Sequence, residues 1–163
     1  CLDQREQLME CTVSWTGAKA SADNPASGSP MGFLATTGSG HTLLMDGAPD
    51  AVKPENGGAN LAPRPMETVL AGTGGCTAYD VVLILKRGRH DVRGCEVKLT
   101  SERAAEDPKV FTGISMHFII SGRGVPADAV KRAIALSHER YCSATIMLGK
   151  TAEITTSFEL HEA

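Results

Sequence analysis

The longest apolar segment, ETVLAGTGGCTAYDVVLIL at residues 67–85, places hydrophobic side chains on nearly every side of a helical wheel. Such a helix is expected to be buried on nearly every side. Its ends are marked. Pro65 suits a first helical position because its missing N–H costs nothing there. Glu67 follows in the first turn, where a carboxylate complements the helix dipole, and KRGRH supplies a cationic end with Gly88 as the stop. The interior is less orthodox. Gly72, Gly74 and Gly75 surround Cys76, and each costs a helix about 1 kcal/mol relative to alanine. A close approach by another backbone would offset that cost.

Alternation marks the strands. In residues 9–17, Cys11, Val13 and Trp15 share one face. Residues 31–47 predict two short strands around the turn TGSG, while 21–30 and 48–65 are loops rich in Pro, Gly, Ser and Asn. Cys95, Val97 and Leu99 alternate with polar residues over 95–103. Val110, Ile114, Met116, Phe118 and Ile120 line one face of a strand over 110–121. A second helix over 125–142 opens at Pro126 and buries a stripe of Val130, Ala133, Ile134, Ser137 and Tyr141. SATIMLGK adds a further helical turn, and 152–160 is a final strand. This order predicts one α+β domain spanning 1–163 with mainly antiparallel sheets. The all-round apolar helix asks for a second covering layer, which a homodimer would supply.

Composition narrows the functional classes. The net charge of −3 and the absence of a basic block argue against nucleic acid as a partner. Asp80 and Lys86 interrupt the best apolar run, so no membrane partner is expected, and the polar CLDQREQLME stretch leads to no expectation of a secretion signal. Five widely spaced cysteines, Cys1, Cys11, Cys76, Cys95 and Cys142, do not form a secreted disulfide scaffold, which points to a reducing cytoplasm.

Chemistry concentrates on Cys76 and Cys142, each flanked by small residues in GGCTA and YCSA. A peroxidatic thiol attacks as the thiolate and becomes a sulfenic acid, and a second cysteine within reach closes a disulfide. The competing reading makes both small buried hydrophobes, and Cys11 and Cys95 are expected to be core residues. Cys1 carries no usable signal. Asp80 lies one turn after Cys76 on the same face, where an anion opposes thiolate formation. His138 and Cys142 share a helix face at a spacing metal ligands use, yet a closed zinc site lacks ligands, and neither metal nor cofactor is expected. GGAN at 57–60 has no leading strand and no following GK[ST], and GSGH at 38–41 reads as a turn rather than a nucleotide site.

RPMETVLAGTGGCTAYDVVLILKR together with SHERYCSATIMLGKTAEITTSFEL resembles the OsmC/Ohr family, the osmotically induced and organic-hydroperoxide-resistance proteins, in its small redox-protein branch. The resemblance runs from about residue 30 to the end. It implies an intertwined homodimer with central cysteine helices back to back, wrapped by sheets from both chains. It also implies thiol-dependent reduction of organic hydroperoxides, with Cys76 attacking, Cys142 resolving and a dithiol reductant resetting the pair. The alternative is a non-catalytic dimer of the same fold that holds a small apolar ligand beside the cysteines. Peroxidase members of the family carry a glutamate ten residues before the first cysteine, where this chain has Met66, with Glu67 one step on. They also bring an arginine to the thiol from an early strand, whereas residues 6–63 here contain no arginine and only Lys19 and Lys53 as cations. Arg64 and Arg140 are the candidate substitutes, with Glu67 a candidate pocket carboxylate.

Overall fold

The computed structural model describes residues 9–17 and 28–163; Cys1, Lys19 and most of the expected loop at 21–30 lie outside the described residues. The chain groups into two compact units, one ending at Val69 and one beginning at Leu70.

In the first unit, β1 (Cys11–Trp15), β2 (Phe33–Thr37) and β3 (Thr42–Met45) form an antiparallel meander in that order. Val13 faces Ala35, and Leu34 faces Leu44. The turn between β2 and β3 holds Gly40 at φ +82°, a left-handed conformation that favours glycine. The expected core placement of Cys11 does not hold: it is exposed, as are Val13 and Trp15 on the same strand face, Trp15 at 65%. β1 is an edge strand of this sheet, which leaves one of its sides without a strand partner among the described residues.

The long loop that follows is organised by one carboxylate. Asp46 is almost fully buried and accepts hydrogen bonds from the Ser29 hydroxyl and from the N–H groups of Gly47 (2.7 Å), Leu61 (2.9 Å) and Ala59 (3.2 Å). Its own N–H donates to Pro63 O at 3.0 Å. At Gly58 a Cβ would lie 2.2 Å from Gly47 O, so the two strands of the loop approach as only glycine allows. Burial pushes the Asp46 carboxyl up, but Ser29, Leu61, Gly47 and Ala59 together outweigh it and hold it below its ordinary value. A carboxyl lowered on folding stabilises the fold above its unfolded value, near 4, and that contribution disappears as pH falls through the folded value. Asp46→Asn is therefore expected to cost about 2 kcal/mol at neutral pH and progressively less on acidification. Urea titrations at pH 7 and pH 3 check this, with the gap between wild type and variant narrowing at the lower pH.

Helix α1 (Pro65–Arg87) runs through the division between the units. In the second unit, β4 (Asp91–Arg103) pairs antiparallel with β5 (Phe111–Arg123), which pairs parallel with β6 (Glu153–Glu162). A parallel neighbour requires a crossover, and α2 (Ala127–Leu136) and α3 (Ser143–Leu148) provide it. Ile114, Met116, Phe118 and Ile120 of β5 are buried on one face and form the core with Val81, Leu85, Val130, Ala133 and Ile134. Val110 does not join that face: it precedes β5 at 39% exposure, and its N–H bonds to Pro108 O.

Within the single chain α1 is buried along one side only, short of the all-round cover that the sequence asks of a dimer. Its buried residues are Thr73, Gly74, Thr77, Val81 and Leu85, a single stripe at four-residue spacing. Gly74 faces β4, where a Cβ would come within 2.7 Å of Leu99 Cδ1. Among the described residues nothing lies within 4 Å of such a Cβ at Gly72 or Gly75, and Tyr79 is 70% exposed. By length and composition α1 also reaches what a membrane crossing requires, with mean hydropathy 1.5 over its best window, so Asp80 and Lys86 do not interrupt it as expected.

Candidate functional site

The continuation of α2 sets the site. After Leu136 the backbone widens into a π turn over Ser137–Tyr141, closed by the Cys142 N–H donating to Ser137 O at 2.8 Å. In a regular α-helix Tyr141, four residues after Ser137, would point inward. The added residue of the π turn passes that inward position to Cys142. Tyr141 is accordingly 56% exposed, against expectation, and Cys142 is fully buried. Cys142 then opens α3, with its backbone extended at φ −73° and ψ 98°.

From α1, Cys76 is half-buried and sits beside the buried stripe. Asp80 follows one turn later on the same face. The two Sγ atoms and a carboxylate oxygen of Asp80 all lie within 4.8 Å of one another. A disulfide requires an S–S distance near 2.05 Å, so closure needs a further local movement of about 3 Å at most. Burial pushes the Cys142 thiol up, Thr145 pulls it down, and its hydrogen bond to Cys76 raises it further. Cys142 thus keeps its proton while Cys76 is the partner open to approach. No cation among the described residues contributes to the shift at Cys142.

A small polar network supports the pair. Ser137 Oγ lies 3.0 Å from Thr77 Oγ1 and 3.1 Å from Asp80 Oδ2, to which it donates. Thr145 Oγ1 donates to Cys142 O at 3.0 Å. Thr77, Ser137 and Thr145 are almost completely buried. As site residues they escape sequence reasoning, although Thr77 on an otherwise apolar stripe is a signal, because a buried hydroxyl needs a partner.

The other candidates sit elsewhere. Glu67 is exposed and accepts from the Arg64 N–H at 2.8 Å, a first-turn bond that ties it to the helix start. Arg140 is exposed and forms no ion pair within residues 70–163. His138 is not in the cysteine–aspartate cluster, and its Nδ1 is buried without a hydrogen-bond partner among the described residues. Cys95 is half-buried, and burial pushes its thiol up; Cys11 is exposed rather than in the core.

Residues 57–157 match the family model described as OsmC-like protein. Protein YhfA of Escherichia coli K12 is 52% identical over 128 residues, covering 78% of this chain and 89% of its own length. A structure from Aquifex aeolicus is 25% identical, covers 96% of this chain and 98% of its own, and superposes with a TM-score of 0.70. An organic hydroperoxide resistance protein from Legionella pneumophila shares the fold at 16% identity, with a TM-score of 0.62 over 93% of this chain and 96% of its own. The family model spans both cysteines, the Asp80 turn and the π turn between them, and the chain belongs to the OsmC-like protein family.

Proposed function

We propose that this protein reduces organic hydroperoxides through Cys76 and Cys142. One observation carries the reading: two sulfurs lie within 4.8 Å of each other, one half-buried, the other sealed from solvent with its thiol pushed up. The accessible Cys76 thiolate attacks the distal peroxide oxygen. An S–O bond forms, the O–O bond breaks, and the alkoxide leaves and takes a proton as alcohol. The Cys76 sulfenic acid then condenses with the Cys142 sulfur, forming S–S and expelling water. A dithiol reductant returns both cysteines to thiols in two exchange steps.

Incubating the reduced protein with cumene hydroperoxide and counting thiols tests this. Two thiols are expected to be lost per chain, with recovery on adding a small dithiol. Unchanged thiols at excess peroxide would overturn the reading and favour the rival one, a dimer that only holds an apolar ligand.

The reading includes a homodimer in a reducing cytoplasm. Its support is the uncovered face of α1, where Gly75, Ala78, Tyr79, Val82, Leu83 and Lys86, with Cys95, line an open cavity of about 500 Å³. A second copy of α1 meeting this face would use the open sides of Gly72 and Gly75. Tyr79→Glu is expected to convert a dimer to a monomer in sedimentation equilibrium, and a wild-type monomer at tens of micromolar would refute the dimer.

A further inference from the structure

We propose that Cys76, Cys142 and Asp80 form a binding site for a thiophilic divalent cation, Zn²⁺, with its fourth position open to water. The three donor atoms come from α1 and from the start of α3, and they already lie within 4.8 Å of one another. Tetrahedral zinc holds sulfur at about 2.3 Å and carboxylate oxygen at about 2.0–2.2 Å, which places ligand atoms about 3.5–3.8 Å apart. The donors are thus at most about 1.3 Å further apart than such a site requires. The donor set suits zinc, since two thiolates supply softness and a carboxylate completes a three-ligand site of the open kind.

The charge at the site favours the same occupant. Asp80 accepts from Ser137 and pairs with no cation within residues 70–163. Binding takes Zn²⁺ and two thiols to a dithiolate–carboxylate complex and releases two protons to buffer. Sequence spacing directs attention to His138 as the partner of Cys142, but the π turn leaves His138 out of the cluster and Asp80 takes the third place.

Zinc titration of the reduced chain against a chromophoric chelator, without peroxide, tests the site. One tight zinc per chain is expected, with two protons released in weak buffer. Cys76→Ser and Cys142→Ser are each expected to weaken binding at least a hundredfold, and Asp80→Asn about tenfold, while exposed Cys11→Ser changes nothing. Substituted Co²⁺ should give a near-ultraviolet thiolate-to-cobalt band that disappears in Cys76→Ser/Cys142→Ser. No stoichiometric zinc, wild-type affinity in the cysteine variants, or a purely oxygen-ligated cobalt spectrum would overturn the proposal. Because the readout involves no peroxide, metal binding and hydroperoxide reduction stand or fall separately.

Discussion

Cys76→Ser is expected to abolish hydroperoxide consumption, a loss of about a thousandfold or more, equivalent to at least 4 kcal/mol of barrier. Cys142→Ser is expected to behave differently. The two sulfurs are close, but only Cys76 is open to an incoming peroxide, and Cys142 is fully buried. The Cys142→Ser chain should complete one attack and stop as a Cys76 sulfenic acid, detected as one dimedone adduct per chain by mass spectrometry. The wild type should yield little adduct, because the disulfide closes first. Closure should accelerate as pH rises into the alkaline range, since the Cys142 thiol is pushed above its ordinary value and reacts as the thiolate. Wild-type closure that is flat with pH, or an adduct on Cys142 in Cys76→Ser, would reverse the assigned roles. Near-ultraviolet circular dichroism confirms that each variant keeps its tertiary packing.

The elements were legible because their signals are local. Pro65, Glu67 and the KRGRH end place α1 within two residues of its observed limits. Alternation along Ile114, Met116, Phe118 and Ile120 yields the buried face of β5. The site was legible only in part. Cys76 and Cys142 stand out through their small neighbours, and their proximity is a property of the crossover between β5 and β6 that spacing does not contain. Counting at 3.6 residues per turn sends Tyr141 inward, whereas one residue inserted at the π turn sends Cys142 there. The burial of α1 in one chain is partial for a related reason: an apolar wheel reports how much surface asks for cover, not which chain supplies it.

Asp80→Asn is expected to move the two properties of this site in opposite directions. The carboxylate lies within 4.8 Å of both sulfurs. A carboxylate so placed puts a negative charge beside the reacting sulfur, screened where solvent reaches the partly exposed side of the site. Asparagine has nearly the same shape and keeps an oxygen to accept from the Ser137 hydroxyl, which donates to Asp80 at 3.1 Å. The variant therefore removes charge while leaving the polar network able to form. With the anion removed from beside the attacking sulfur, the second-order rate with cumene hydroperoxide at neutral pH is expected to rise severalfold. Zinc affinity should fall about tenfold, because the third ligand becomes a neutral amide oxygen. A slower reaction in Asp80→Asn would mean that the carboxylate assists proton removal rather than opposing it. Stopped-flow thiol kinetics and chelator competition on the same preparation measure both changes. Their opposite signs separate an electrostatic role from simple loss of structure, which would depress the two together.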